Sequence, residues 1–326
     1  MQGTRTAFVT GGSGFIGGAL IRRLTGEGWR VRALARSEAA AAAVAEGGAE
    51  AVEGDLDKVE AMREAAEGAE VAFHAAATVQ QWGPWELFER VNVRGTQNAL
   101  DACRHAGVRR FVHVGTEAAL SVGRPLVQVD ETAPLRPDSK APYPASKARA
   151  EQEVREAGGD GFETVVVRPR FVWGPGDTTL LPAITETVKS GRFAWIGGGR
   201  HLTSTAHIDN VVEGLLLGAE RGRAGEAYFI TDGEPVEFRD LLTRMLETQG
   251  VEAPSRTLPL PLARALAAGS ETAWRVLRRD GDPPLTRAAV WLSAMEITID
   301  ISKARSELGY EPVVSVDEGL ERLAGA

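Results

Sequence analysis

The run Gly11–Gly12–Ser13–Gly14–Phe15–Ile16–Gly17 limits what this chain can fold into more than any other stretch. It follows the apolar segment Phe8–Val9–Thr10 and opens an amphipathic stretch of helical composition, Phe15–Glu27. A backbone without side chains can turn tightly there and bring the free N–H groups of a helix start close to an anion. Gly12, Gly14 and Gly17 fit a G-x-G-x-x-G spacing, and Gly11, Gly14 and Gly17 fit a G-x-x-G-x-x-G spacing, so spacing leaves both sets open. A glycine trio alone is weak, but one that ends a strand and begins a helix predicts a pyrophosphate site over a plain tight turn.

The residues that follow support this context. Thr6–Thr10, Arg30–Ala35, Glu50–Glu53, Glu70–His74, Arg110–Val114 and Thr164–Arg168 are β-rich runs of strand length. Between them Phe15–Glu27, Glu38–Glu46, Asp57–Glu67, Leu87–His105 and Pro144–Glu156 have helical composition. Alternation of this kind predicts an α/β fold, a doubly wound parallel sheet whose ligands bind beyond the carboxyl ends of the strands. Past Arg168 prolines and the Gly197–Gly199 run loosen the pattern. We therefore expect residues 1–172 to form a dinucleotide-binding domain, to which the chain returns around 204–231. Residues 173–326 should form mainly a smaller, mostly helical substrate lobe.

A formal net charge of -8 gives no electrostatic footprint for nucleic acid or an anionic membrane. The single cysteine, Cys103, excludes an internal disulfide, and its helical setting predicts a buried, inert thiol. The first ten residues read as a strand, predicting that no signal peptide precedes the fold. Leu258–Ala268 is too short and interrupted to span a bilayer. The expectation is a cytoplasmic protein.

About 20 residues beyond a phosphate turn, a side chain at a strand end reports on the ribose. Here it is Arg36, followed by Ser37, where a carboxylate would select a free 2′-hydroxyl. These residues suit a 2′-phosphate, so NADP is expected over NAD; the bland alternative is a solvated arginine. Asp55, after the third strand run, either accepts from an adenine amine or serves as a loop or helix-cap residue.

The chain has only three tyrosines, and Tyr143 is followed by Lys147 four positions later. With Pro144 in the first turn the segment predicts a helix that carries both on one face. An ammonium so placed would lower the phenol's pKa and fit it to exchange a proton with a carbonyl or alcohol oxygen. Thr116, just past the strand Arg110–Val114, could hold the same oxygen.

These residues resemble the extended short-chain dehydrogenase/reductase superfamily. The likeness includes TGGSGFIG at 10–17, Asp55–Leu56, HAAA at 74–77, NVRGTQN at 92–98 and FVHVGT at 111–116. It continues with YPASK at 143–147, RPRFVWGPGD at 168–177 and SKARSELGY at 302–310, in order over nearly the whole chain. It implies that the turn with Gly11, Ser13, Gly14, Phe15, Ile16 and Gly17 cradles the pyrophosphate. Asp55 and Leu56 would lie at the adenine, Ala75, Ala76 and Ala77 along the cofactor, and Asn92 in the helix behind it. Lys147 would also bind the nicotinamide ribose, and Pro169 would begin the loop under the carboxamide. Thr116, Tyr143 and Lys147 would be the catalytic group, in the manner of 3-beta-hydroxysteroid dehydrogenases and dihydroflavonol reductases. Sugar dehydratases carry a Thr-Asp-Glu run where this chain has Thr116–Glu117–Ala118, which disfavours dehydration. A homodimer through the helices with Asn92 and Lys147 is also implied. Two other readings stay open: a nucleotide-sugar epimerase with tightly held NAD, and a non-catalytic dinucleotide-binding redox sensor.

Trp82, Trp85, Trp173 and Trp195 are expected in loops on the cofactor side, as an apolar floor or as packing. His113, His201 and His207 lack the neighbours of a metal site, and none is expected. Asp209 reads as a helix N-cap, and Arg168 and Arg170 as partners in structural ion pairs. If Arg36 meets a 2′-phosphate, Arg36→Asp should lower kcat/KM for NADPH by at least tenfold and leave that for NADH nearly unchanged, read from initial rates with both cofactors; equal losses would remove Arg36 from this role.

Overall fold

In a computed structural model, which describes residues 4–279 and 281–325, the centre is a seven-stranded, wholly parallel sheet. Its strands include β1 (Thr6–Thr10), β2 (Arg30–Ala35), β3 (Glu50–Glu53), β4 (Val71–His74) and β5 (Arg110–Val114). Two later strands, Glu163–Pro169 and Ala227–Ile230, complete it in the order Ala227–Ile230, Glu163–Pro169, β5, β4, β1, β2, β3. The order reverses at β1, so the crevice of a doubly wound sheet opens beside the end of β1 and the glycine run.

The strands read as near-continuous apolar runs because both faces are covered. On β1, Ala7 and Val9 face α1 (Phe15–Gly26), α2 (Glu38–Glu46) and the helix Ile208–Arg221, through Leu20, Ile21, Leu24, Val44 and Leu215. Phe8 points the other way, toward Met62 on α3 (Val59–Ala66), Ala99 and Cys103 on Gly95–His105, and Val154 on Pro142–Glu156. Cys103 is fully buried, and burial pushes its thiol up.

The expected helix Leu87–His105 is broken into Trp85–Phe88, a π-helical stretch Glu89–Arg94 and Gly95–His105. The wider turn holds Asn92 inward, where its side chain satisfies neighbouring backbone. Beside its helices, the later part of the chain also contributes short strands. A four-stranded sheet joins Val236–Glu237, Leu202–Thr203, Ile297–Ile299 and Leu126–Val129, and two-residue strands pair Trp195–Ile196 with Thr257–Leu258. Strands this short have no periodicity to read.

Two corrections concern single residues. The helix Ile208–Arg221 is capped by His207, whose side chain accepts from the Asp209 N–H; Asp209 itself lies in the first turn and pairs with Arg322 at 2.7 Å. Trp173 and Trp195 are buried in short strands, not loops, with Nε1 donating to Asp232 at 2.8 Å and to the Pro254 carbonyl at 2.6 Å.

The helix Pro142–Glu156 is fixed to the sheet by a buried ion pair. Arg168 donates through Nε to Glu151 Oε2 at 2.9 Å and through Nη2 to Oε1, with both side chains 0% exposed. Removing one partner leaves an uncompensated charge in the interior. Glu151→Ala should cost about 3–5 kcal/mol of unfolding free energy, read from denaturant midpoints at unchanged m.

Candidate active site

The glycine run builds a cradle that no larger residue fits. Gly11 has φ +72°, and a Cβ there would lie 2.6 Å from the Ala76 nitrogen. A Cβ on Gly17 would lie 2.2 Å from the Gly11 carbonyl oxygen. Gly12 instead faces inward, where a Cβ would meet Ile21 Cδ1 at 2.7 Å. Gly11, Gly14 and Gly17 line the cavity, whereas Gly12 serves close packing of helix on strand. Gly14, at the N-cap of α1, has no side chain to cap it, and the first turn holds no acidic residue. The N–H groups there stay available to an anion, which fits the pyrophosphate of a dinucleotide.

A cavity of 380 Å³ runs from this turn along the strand ends. Phe15, Ile16, Ala75 and Ala77 line its near part; Thr116, Glu117, Tyr143, Lys147, Pro169 and Arg170 line the part beyond. The expected triad is thus gathered on one wall continuous with the phosphate cradle. Ser13 and Asp55 are exposed, and Asp55 Oδ1 accepts from the Asp57 N–H at 3.0 Å, closing its own turn. Arg36 is exposed just past β2, and Ser37 is occupied as the cap of α2. Leu56 packs against Gly95, and Ala76 N–H meets Thr10 Oγ1 at 3.4 Å.

Asn92 stands behind the wall, not on it. Its Nδ2 donates to the Thr78 carbonyl at 3.1 Å and to Ser146 Oγ at 2.9 Å, and Ser146 Oγ donates to the Tyr143 carbonyl at 2.9 Å. Thr96 gives its one proton to the Asn92 carbonyl at 2.6 Å. His74 Nε2 must therefore donate to Thr96 at 3.0 Å, leaving Nδ1 to accept from Thr10 at 2.7 Å. A directed hydrogen-bond network thus connects the end of β1 to the backbone of Tyr143. Burial holds His74 down to about 3, so it stays neutral.

Lys147 is buried, with Nζ donating to the Val114 carbonyl at 2.8 Å and to His113 Nε2 at 3.1 Å. Burial pulls His113 well below its usual range, so a neutral ring accepts from the ammonium. Burial also lowers Lys147 to about 8, opposed by Glu151. The expectation that Lys147 makes the phenol more acidic is not met in the chain alone. Burial and the nearby Glu117 push Tyr143 up, against a hydrogen bond with Thr116. Two of the three ammonium donors are already directed at Val114 and His113, and the phenol has a carboxylate nearby.

Of the two readings of Trp82, Trp85, Trp173 and Trp195, the structure shows packing, not a cavity floor. Trp82 and Trp85 stack under Arg275 and Arg149, and Trp291, on the helix Arg287–Ala294, faces the cavity instead. Leu126, Phe171, Ala288, Leu292 and Ile297 join it in an apolar wall opposite the polar one. Trp291 lies against Gly123, where a Cβ would come within 2.5 Å of its ring. Phe171 follows Arg170 in a left-handed conformation, φ +44°, which turns the chain sharply at the cavity edge. No spacing signal in the sequence marks Trp291 or Phe171. Arg168 and Arg170 both form the structural ion pairs expected of them.

Because the folded-state pKa of Lys147 is depressed, the unfolded chain binds more protons between about pH 8 and the ordinary lysine value of 10.5. Stability should then rise with pH across that window. Lys147→Met should be more stable than the wild type at neutral pH by on the order of 3 kcal/mol, and the gap should close toward pH 10.5 in paired denaturant titrations.

Comparison with known proteins agrees with this geometry. A model of the 3-beta hydroxysteroid dehydrogenase/isomerase family matches residues 8–262. A 4-hydroxy-2-methyl-3-oxo-4-farnesyl-3,4-dihydroquinoline-1-oxide ketoreductase of Stigmatella aurantiaca is 50% identical over 319 residues, 98% of this chain and 96% of the relative. A 2-alkyl-3-oxoalkanoate reductase of Stenotrophomonas maltophilia is 37% identical over 97% of both chains. The solved dTDP-glucose 4,6-dehydratase of Streptomyces venezuelae with NAD bound superposes with TM-score 0.75 at 26% identity, covering 98% of this chain and 95% of that one. Among the described residues, no helix is long and apolar enough to cross a membrane. The chain belongs to the 3-beta hydroxysteroid dehydrogenase/isomerase family, within the extended short-chain dehydrogenase/reductases, and is an NAD(P)-dependent oxidoreductase.

Proposed function

We propose that this enzyme reduces a bulky, largely apolar ketone with NADPH, and that Tyr143 donates the proton to the carbonyl oxygen. The observation that carries the reading is the placing of Tyr143, Thr116 and Lys147 on one wall that continues directly from the glycine cradle. The bound nicotinamide supplies the hydride, or receives it in the reverse direction. Around it the chain does the rest. The N–H groups at the start of α1 hold the pyrophosphate, and Asp55 and Leu56 lie toward the adenine. Arg36 meets the 2′-phosphate and accounts for NADP over NAD. Ala75, Ala76 and Ala77 flank the dinucleotide, Asn92 braces the catalytic helix from behind, and Pro169 supports the carboxamide end.

At the reacting carbon, Tyr143 passes its proton to the oxygen as negative charge develops there, while the Lys147 ammonium stabilises the phenolate left behind. Residues 173–326 supply most of the substrate wall, and residues 1–172 with the return through 204–231 hold the cofactor. Trp291, Leu292, Phe171 and Leu126 suit a hydrocarbon body beside the carbonyl. The names of the two reductase relatives share this chemistry: each describes a 3-oxo group next to a carbon bearing an alkyl or farnesyl substituent. The same apolar wall argues against a nucleotide sugar and hence against epimerisation. The retained Tyr143 and Lys147 argue against a sensor without turnover. The reading includes a homodimer packed through the helices that carry Asn92 and Lys147, working in the cytoplasm.

Tyr143→Phe should cut kcat for reduction of a 2-alkyl-3-oxo substrate by about 10²–10⁴ and leave NADPH affinity within about twofold, measured by steady-state kinetics and fluorescence titration. Activity retained by this variant would refute Tyr143 as the acid.

A further inference from the structure

The helix Leu260–Leu277 presents apolar residues to solvent on the side where a packed helix presents polar ones. Its inner face is small: Ala263 and Ala267 are fully buried in a cluster with Val290 of the helix Arg287–Ala294. On the outer face Leu262, Leu266, Val276 and Leu277 are 50%, 50%, 74% and 60% exposed, and Ala265 and Gly269 are exposed between them. At 3.6 residues per turn these positions form one stripe about 22 Å long. A single exposed leucine is ordinary, but a row of apolar side chains along one helix marks a surface that something covers.

Charge decides what covers it. From Leu260 to Arg279 the sequence carries four arginines, Arg264, Arg275, Arg278 and Arg279, and one acid, Glu271; Asp280 and Asp282 follow. The four arginines are exposed, whereas Glu271 is buried and lies 3.8 Å from Arg275 and 3.6 Å from Arg287. The net charge of -8 on the whole chain hides this local reversal. A second copy of the helix would set arginines against arginines, with no exposed carboxylate on the helix to meet them. Anionic lipid headgroups supply that charge, and the acyl layer beneath them takes the leucines. Guanidinium groups on long stems reach the headgroups while the stripe sinks.

The stripe is also joined to the cavity. The helix Arg287–Ala294, which meets Ala263 and Ala267 through Val290, lines the cavity with Ala288, Trp291 and Leu292. Gln81, Ala288 and Trp291 line a small cleft as well, together with Glu271 and Arg275 of the exposed helix. Val79, 54% exposed, lies on the cavity wall itself. One layer of helix therefore separates the stripe from the apolar wall of the cavity.

We propose that the outward face of the helix Leu260–Leu277 docks on an anionic lipid bilayer without crossing it, so that the cavity lies beside the layer in which an apolar substrate dissolves. The docking stands apart from the reaction assigned to Tyr143; only the delivery of a ketone rests on that reading.

The test is flotation of the full chain with lipid vesicles, without ketone or cofactor. Vesicles of phosphatidylcholine with about one third phosphatidylglycerol should carry the protein upward. Pure phosphatidylcholine should bind it at least tenfold less, as should the anionic vesicles when salt rises from about 0.1 M to about 1 M. Leu262→Ser/Leu266→Ser and Arg278→Glu/Arg279→Glu should each lower the partition coefficient on anionic vesicles at least tenfold. Val313→Ser, which removes an apolar side chain 51% exposed elsewhere, should bind as the wild type does. If one double variant fails to fold, the other decides. A wild-type protein that floats with neither vesicle overturns the proposal, as do folded double variants that bind unchanged or an equal loss in Val313→Ser. Absent vesicle binding, together with a dimer in sedimentation velocity that Leu262→Ser/Leu266→Ser splits, assigns the stripe to a second copy instead. Vesicle binding alongside activity retained in Tyr143→Phe leaves the docking and removes only the ketone reading.

Discussion

Five charged side chains are sunk where the helix Pro142–Glu156 meets the carboxyl ends of the sheet: Lys147, Glu151, Arg168, Glu117 and Arg170. Burying a charge is costly unless it is paired and hydrogen-bonded, and four of these five form two ion pairs in contact. Lys147 has no carboxylate at contact distance; it is held by a carbonyl and a neutral imidazole. The cluster therefore carries one surplus positive charge in a medium that screens poorly. That surplus lies at the part of the cavity lined by Tyr143 and Thr116. The pairing of Arg168 with Glu151 also holds the helix at the height that brings Tyr143 and Lys147 to the wall.

Beneath the wall, the polar network from Thr10 through His74, Thr96, Asn92 and Ser146 has one consistent assignment of donors. A network so assigned resists tautomer change, because reversing one member leaves a buried group unsatisfied. The phosphate cradle and the backbone of Tyr143 thus belong to one rigid frame. The glycine turn at one end of the cavity and Tyr143 at the other are referred to the same scaffold.

The Rossmann-like half was legible because its strands are covered on both faces and its turn needs glycine for steric reasons. The positions of Thr116, Tyr143 and Lys147 at strand and helix ends followed from the same pattern. What escaped reading depended on which way a side chain turns. Trp173 and Trp195 sit in two-residue strands whose direction is set by tertiary pairing, and each points its indole N–H to a buried acceptor. His207 instead of Asp209 caps its helix because an imidazole nitrogen reaches the free N–H. The direction in which the Tyr143 phenol is pushed was not legible because it is set first by burial and then by Glu117, which lies 26 positions away in sequence. Trp291 lies far from every motif, on a helix that runs into the strand Ile297–Ile299, which pairs with Leu126–Val129.

That last pairing separates two kinds of freedom. Thr116, Tyr143 and Lys147 sit just past β5 and on the helix clasped to the central sheet, whereas Ala288, Trp291 and Leu292 belong to a different covalent stretch that lines the same cavity. Changes in those three side chains reshape the cavity without disturbing the ionic clasps. A lineage built this way can alter the shape of its cavity while the residues of the polar wall stay constant.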